Sequence, residues 1–484
     1  MARVLLGKAR CFGYGQKELV APLGVMYVAS VLREAGHDVR IYDCGDDWNR
    51  PDAFRQALLA FRPDVVGLSA ITYEGRVLEG MARVCKATLP GVPVIVGGPH
   101  PSAYPDRCVR RADMDYAVLG EGEVTALELV NALTRGGDPR SVPGIAWHDE
   151  TADRIVFTAP REAIQDVDSL PFPAWDLIDI DLYARNEATS SMGRRLHMEI
   201  FTSRGCPFKC VYCHEVQGKR FRARSPQNVL AEMDVLRRCY GINDFEVVDD
   251  IFNFNRERML DILDRIIAAK TRPKLHFPNG LRTDLLDATQ LDRLYRAGGR
   301  FLGVAVETTS LRLQKLIKKH LKVEKVRDNI EIATRRGFYV NGFFMLGFPT
   351  ETYEEARDTV EFALRTSLHQ AHFNMVMPYG GTALYEVYQE FLRARGLPEM
   401  DIYTQNFHKG SINLSAMADA ELFNLQREAY RRFYFGPRRA LRILWRHQGR
   451  KHLFGKALLA LYYALPFGRV GADDSALEFA WDSV

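Results

Sequence analysis

Short apolar runs and longer segments of helical period alternate through the first part of the chain. Val4-Leu5-Leu6, Val39-Arg40-Ile41-Tyr42, Val65-Val66-Gly67-Leu68, Val94-Ile95-Val96 and Tyr116-Ala117-Val118-Leu119 read as strands. Gly24 to Ala35, Asp52 to Phe61, Arg76 to Thr88 and Glu123 to Thr134 read as amphipathic helices between or after them. Strands that are apolar on both faces, separated by helices, predict a parallel sheet buried on both sides.

Five such units predict an α/β fold beginning with a doubly wound, flavodoxin-like domain over residues 1–138, with ligands at the carboxyl ends of its strands. Residues 139–195 lose the rhythm. Pro143, Pro160, Pro171 and Pro173 punctuate them, so they read as a linker packed between domains. Strand patterns resume at His197–Phe201, Phe245–Val248, Leu275–Phe277, Phe301–Val306, Tyr339–Leu346 and Phe373–Met377, again with helices between. Six βα units predict a partial (β/α)6 barrel, open rather than closed, over residues 196–400. Residues 401–484 read as a mainly helical C-terminal region.

The 484 residues exceed one ordinary core, which agrees with several domains. A hydrophobic share of 47% and a charged share of 26% fit a globular protein. The net charge of +4 gives no general case for a nucleic-acid partner. Met1 to Leu6 runs straight into a strand, without the sequence of regions that marks a signal peptide, and no apolar run is long enough to span a bilayer. A cytoplasmic location is therefore expected. Cys11, Cys44, Cys85, Cys108 and Cys239 are scattered singly, which suits a reducing compartment better than a disulfide framework. Arg431, Arg432, Arg438, Arg439, Arg442, Arg446, Arg450, Lys451 and Lys456 form a basic stretch before the apolar run Ala457–Leu465. Such a pairing can lie in a membrane interface as a peripheral contact, or be a solvated helix face followed by a core helix.

The remaining three cysteines sit together, in Thr202-Ser203-Arg204-Gly205-Cys206-Pro207-Phe208-Lys209-Cys210-Val211-Tyr212-Cys213. This segment follows the first barrel strand, so it is a loop at that strand's carboxyl end. Three thiolates so spaced can bind three irons of a 4Fe-4S cubane and leave the fourth iron open to a chelating ligand. The competing readings are a zinc site completed by His214 and a chance cluster of structural cysteines. Zinc ligands usually come in two knuckles, and no second knuckle is visible.

The Cys-x-x-x-Cys-x-x-Cys spacing, with Tyr212 before its last cysteine, resembles the signature of the radical S-adenosylmethionine superfamily. The resemblance covers roughly residues 196–396. It implies that S-adenosylmethionine chelates the open iron and is cleaved reductively to a 5′-deoxyadenosyl radical that abstracts hydrogen from carbon. An electron donor such as flavodoxin or ferredoxin would supply the electron. Further positions resemble the family's S-adenosylmethionine contacts. Asp249 and Asp250 end the second strand, near the methionyl amino group. The resemblance implies Arg282 as a contact to the methionyl carboxylate. Glu307 lies near the ribose, although Thr308-Thr309 stand where the family has Ser-Gly. The Gly342–Glu351 segment approaches adenine. For each, a helix cap or an ion pair is the ordinary alternative.

In the first domain, Gly67-Leu68-Ser69, Val96-Gly97-Gly98-Pro99-His100-Pro101 and Gly120-Glu121-Gly122-Glu123 each close a strand. With Pro22-Leu23-Gly24 they resemble cobalamin-binding domains fused to radical S-adenosylmethionine enzymes. The resemblance implies cobalamin over the strand ends, its tail along the Ser69 and Gly97-Gly98 loops, with Gly120 and Glu121 as further candidate cobalamin contacts. The Asp-x-His-x-x-Gly motif that supplies a cobalt-binding histidine is absent, and His100 is the substitute candidate. A nicotinamide site is disfavoured because no Gly-x-Gly-x-x-Gly follows the first strand. The implied activity is methyl transfer from methylcobalamin to an unactivated carbon of a small-molecule substrate. Oxidative cyclisation or ring rearrangement with the same cofactors is the alternative. A methylthiotransferase would need a second cysteine set, and a non-catalytic cobalamin carrier would not need the intact triplet.

Overall fold

The computed structural model describes the chain except residues 12–18, 44, 46–48, 188, 191, 193–194, 400–401, 404–411, 448–480 and 482–484. The first domain is built on β1 (Arg3–Lys8), β2 (Asp38–Asp43), β3 (Val65–Ser69), β4 (Val94–Gly97) and β5 (Tyr116–Val118). These pair in parallel in the order β2-β1-β3-β4-β5, with helices Leu23–Glu34, Pro51–Phe61, Gly75–Thr88 and Glu123–Arg135 among them. This is the expected doubly wound arrangement. Alternate strand residues serve separate cores: Leu5, Val66 and Val96 on one face, and Val4, Val65 and Ile95 on the other.

The expected linker is partly sheet. β6 (Ile145–Asp149) and β7 (Arg154–Phe157) form an antiparallel hairpin that adds to β5, giving seven strands. Residues after the hairpin strap the two domains together. Ala174 N–H donates to Met26 O (3.3 Å) in the first helix, and Trp175 Nε1 donates to Glu232 Oε1 (3.2 Å) in the second domain.

The second domain begins with β8 (Met198–Ile200), followed by a short antiparallel pair, β9 (Ser203–Arg204) and β10 (Arg222–Ala223). Then come β11 (Asp244–Val247), β12 (Lys274–Leu281), β13 (Gly299–Glu307), β14 (Tyr339–Leu346) and β15 (Gln370–Met375). The six long strands run parallel in the order β15-β14-β13-β12-β11-β8 and do not close, as the six βα patterns predict. Met198, Phe245, Phe277, Val304 and Phe344 point to the helices and share one core. The intervening positions face the concave side. There Glu199, Glu246 and His276 stand in one register, and all are fully buried. Arg195 pairs with Asp244 (2.9 Å) and Glu246 (2.5 Å), so this end of the barrel is floored by charge.

In the C-terminal region, helices Asp419–Tyr434 and Pro437–Arg446 are described. Tyr430 and Tyr434 hydroxyls each accept from a backbone N–H of β15, at Phe373 and Ala371 (both 3.1 Å), closing the barrel's last edge. Arg439, expected in a basic face, instead lies over the Phe433 ring (3.8 Å) and donates to the carbonyls of Leu368 (2.9 Å) and Leu364 (2.7 Å). The run Ala457–Leu465 lies outside the described residues, as do Arg450, Lys451 and Lys456. Among the described residues no helix is long and apolar enough to cross a membrane.

Candidate functional site

The cysteine loop occupies the carboxyl end of β8. Its start is fixed by Asp249, which accepts from Thr202 N–H (2.6 Å), Thr202 Oγ1 (2.6 Å) and Ser203 Oγ (2.5 Å). Gly205 then turns with φ 76°, and a Cβ there would collide with the carbonyl of Arg220. Only glycine fits such a left-handed, crowded position. The loop is held further by Cys206 N–H to Gly218 O (3.3 Å), Cys213 N–H to Cys210 O (3.1 Å) and Val211 N–H to Ile317 O (3.1 Å).

Cys206, Cys210 and Cys213 are half-buried and free of disulfides. Burial pushes the Cys206 thiol up and the Cys213 thiol up to about 11. Iron coordination would supply the positive charge that the thiolates need. Among the described residues, no three His, Cys, Asp or Glu side chains converge on one metal-ion position. Zinc needs its ligands on one ion, whereas a cubane takes each cysteine on a different iron. His214 is exposed, and its Nε2 lies 3.9 Å from Asp250 Oδ1. A donor set of three cysteines on one crowded loop fits the cluster.

Tyr212, in the same loop, joins Glu307 at the end of β13 and Lys319 beyond it. Tyr212 Oη donates to Glu307 Oε1 (3.3 Å), and Lys319 Nζ donates to both Glu307 Oε1 (3.0 Å) and Tyr212 Oη (3.1 Å). Burial, with the Glu307 charge beside it, pushes the Tyr212 phenol far up, so it is a neutral donor. Glu307 ends β13 with φ 64°, and Lys318 and His320 have φ 55° and 51°. Three non-glycine residues in left-handed backbone, each costing about 1 kcal/mol or more, mark a strained site. Lys319 had no signal in the sequence: within Lys318-Lys319-His320 it reads as part of a solvated basic run.

Several expected contacts go elsewhere. Asp249 is consumed by Thr202 and Ser203, so it braces the loop, while Lys219 and Asp250 are among the charges that act on Cys206 and Cys213. Arg282 stacks on Phe208 (4.0 Å) and donates to Asp284 Oδ1 (2.9 Å) and to the carbonyls of Lys319 (2.8 Å) and His320 (3.2 Å). It holds the strained turn rather than pointing free into the mouth. Gly342 leaves room for Leu368 and Phe344, on the helix side of β14. Glu351 ends the same segment as a buried carboxyl that accepts from Gly347 N–H (2.6 Å) and Phe348 N–H (3.1 Å), with Oε1 unpartnered among the described residues. Burial holds it up, at about 8.

In the first domain the predicted strand-end loops form one rim. Ala70 N–H donates to Gly97 O (3.3 Å), His100 N–H to Ala70 O (3.0 Å), and Gly120 N–H to Ser102 Oγ (3.0 Å). Gly98, at φ 91°, allows the turn to press on Ser69, whose Oγ would lie 2.7 Å from a Cβ there. Gly120, at φ 73°, faces open space instead. His100 is buried between Tyr104 and Tyr403, with ring centroids at 5.5 and 5.6 Å; burial lowers its pKa to about 4, and Nδ1 has no partner among the described residues. In the loop after β1, Arg10 is tied to Asp43 (3.0 and 2.6 Å). Ser69, Gly97, Gly98 and Gly120 thus make a backbone rim of the kind that fits a large cofactor. Glu121 does not join it, because both its oxygens are taken by arginines of the second domain.

Comparison with known proteins matches each of the two α/β domains to a family. Residues 17–130 match the B12 binding domain family, and residues 200–363 match the Radical SAM superfamily. An uncharacterised methyltransferase of Pyrococcus horikoshii is 31% identical over 91% of this chain and 94% of its own. The cytidylyl-2-hydroxyethylphosphonate methyltransferase of Streptomyces wedmorensis is 28% identical over 85% and 86%. The anaerobic magnesium-protoporphyrin IX monomethyl ester cyclase of Cereibacter sphaeroides is 26% identical over 90% of this chain and 70% of its own. By fold, the cobalamin-dependent S-adenosylmethionine radical enzyme OxsB superposes with TM-score 0.75 at 15% identity, over 96% of this chain and 72% of that one. The radical S-adenosylmethionine methyltransferase TsrM from Kitasatospora setae gives 0.69 at 20%, over 96% and 89%. With a cysteine triplet on one strand-end loop, a glycine rim facing it from a doubly wound domain, and a relative above 30% identity along nearly the whole length, the chain belongs to the cobalamin-binding radical S-adenosylmethionine enzymes, whose cofactors are a 4Fe-4S cluster, S-adenosylmethionine and cobalamin.

Proposed function

We propose that this enzyme is a C-methyltransferase, moving a methyl group to an unactivated carbon of a small-molecule or natural-product substrate. The observation that carries the reading is coverage in both directions. Two relatives named methyltransferases match at 31% and 28% identity over 94% and 86% of their own lengths, whereas the cyclase of Cereibacter sphaeroides matches at 26% over 70% of its own. When bound, the cluster with S-adenosylmethionine supplies a carbon-centred radical, and cobalamin supplies the methyl group. The protein's share is placement and exclusion of water. Cys206, Cys210 and Cys213 hold the cluster, and Asp249 fixes the loop that carries them. Tyr212, Glu307 and Lys319 wall the S-adenosylmethionine side with one hydrogen-bonded unit. Ser69, Gly97, Gly98 and Gly120 line the cobalamin side. A low-potential donor of the flavodoxin or ferredoxin class delivers the electron to the cluster side.

A second reading is oxidative cyclisation or ring rearrangement with the same cofactors, favoured by the 26% identity to the cyclase over 90% of this chain. Product analysis with methyl-labelled S-adenosylmethionine separates the two. Methyl transfer puts label in the product and forms S-adenosylhomocysteine. Formation of 5′-deoxyadenosine with no S-adenosylhomocysteine overturns the methyltransferase reading.

A further inference from the structure

Glu121 stands between two glycines in the turn that closes β5, on the cobalamin side. Arg204 lies two residues before Cys206, on the cluster side. The two meet. Glu121 Oε1 accepts from Arg204 Nη1 (3.0 Å), and its Oε2 accepts from Arg222 Nη1 (2.7 Å) and from Ile164 N–H (2.9 Å). Glu123 Oε1 accepts from the other arm of Arg204 (2.6 Å). Arg204 and Arg222 face each other across the β9–β10 pair, and Arg204 lies over the Tyr27 ring (5.0 Å) of the first helix. Arg222 also donates to Ile164 O (2.7 Å) and Gln217 O (2.6 Å). None of the four charged side chains is more than 9% exposed.

Two carboxylates against two guanidinium groups leave no net charge. A buried network of this kind contributes little net stability, because desolvation offsets the Coulombic gain. What it supplies is geometry: forked arginine bonds tolerate only one mutual orientation of the loops that carry them. Burial alone would raise the Glu121 pKa, but the Arg222 hydrogen bond and the two positive charges outweigh it and hold the carboxyl below its usual range. Glu121 is therefore ionised at neutral pH. Other described contacts between the two domains include single hydrogen bonds such as Ala21 N–H to Glu199 Oε2 (3.1 Å) and Gly380 N–H to Tyr104 Oη (2.8 Å), and the partly exposed ion pair Arg107–Glu399 (3.5 Å).

We infer that Glu121, Glu123, Arg204 and Arg222 form an interdomain clamp that sets the separation between the cobalamin rim and the cluster loop. They are positioning residues. A displacement of about 1 Å between reacting partners is enough to slow a positioned reaction roughly a hundredfold, so such a clamp has a direct use in an enzyme with two facing cofactors. The inference rests on the family's cofactors and not on methyl transfer, so the labelling experiment above can fail while this one stands.

The test uses holoenzyme loaded with cluster and cobalamin, poised so that the reduced cluster and cob(II)alamin are both paramagnetic, without substrate. Pulsed EPR then reads the distance distribution between them. The wild type is expected to give one narrow distribution, and Glu121→Gln to roughly double its width or shift its mean, with iron and cobalt contents unchanged. An unaltered narrow distribution overturns the clamp. So does loss of iron or cobalt in Glu121→Gln, which would make Glu121 part of a cofactor site. If Glu121→Gln does not fold, Glu123→Gln, which removes one contact with Arg204, is read in the same way and with the same overturning outcomes.

Discussion

Glu351 shows how far a residue's chemistry depends on what surrounds it. In the sequence it is the last position of a Gly-Phe-Pro-Thr-Glu turn, and an exposed carboxylate there would be unremarked. In the fold it is fully buried, accepts two backbone N–H groups and keeps its proton to about pH 8. The folded state thus binds a proton that the unfolded chain releases near its ordinary value of 4.5. The sign follows: this stabilisation is full below about 4.5 and is lost as pH rises towards 8, by about 1.4 kcal/mol per pH unit. Melting temperature, followed from pH 5 to pH 8.5, should fall for the wild type and fall less for Glu351→Gln. Equal slopes would show that Glu351 is not the group responsible. The same dependence on surroundings explains the other residues whose partners the sequence misplaced. Asp249 and Arg282 are polar groups at strand ends, as expected, yet each is satisfied by its own chain. Lys319 was invisible because only the fold brings Glu307 and Tyr212 to it.

At the scale of elements, periodicity served well wherever a strand is buried on both faces. The five strands of the first domain and the six of the barrel lie where apolar runs predicted them, with ends shifted by a few residues. It failed for β6 and β7. These are short antiparallel strands at the sheet edge, with half-exposed positions and a polar turn, so their pattern is weak. Charge patterning also misled. The basic stretch allows an interfacial or a solvated helix face, and Arg439 takes neither: it folds back on the barrel. It donates to the terminal carbonyls of helix Tyr353–Arg365 and the turn after it, and burial lowers its pKa to about 10. Arg439→Ala should therefore lower stability by about 1–3 kcal/mol, since it orphans several carbonyls at once. Chemical denaturation of the purified enzyme measures this. A change within error would return Arg439 to the solvated face. Leu441, Leu444 and Trp445 remain exposed on the same short helix.

Across the whole molecule, distant segments complete each other's cores. Trp481, near the chain's end, is fully buried in the first domain among Phe54, Leu68, Val77 and Met81, and Arg83 Nη2 donates to its carbonyl (2.5 Å). Gly80 is needed where the Trp481 side chain lies against the helix. Tyr403 likewise docks on the first domain, donating to Glu79 Oε1 (2.7 Å) beside His100. Trp481→Ala should cost about 3–5 kcal/mol through the cavity it leaves. The loss should appear as a lower first transition in calorimetry and as faster proteolysis within residues 51–88. An unchanged profile would mean that the tryptophan adds nothing to that core.

The sequence by itself determined the two α/β architectures, their order and the candidate cluster ligands. Hydrophobic period is a local property, and three thiolates on one loop carry their chemistry with them. Tertiary structure alone decided which polar groups are spent on the protein and which are left for cofactors. Glu121 reads as a cobalamin contact until Arg204 and Arg222 arrive from residues more than eighty positions away. Lys319 reads as surface until the strained turn buries it. Burial and ion pairing are sums over neighbours that are distant in sequence, so no local pattern encodes them.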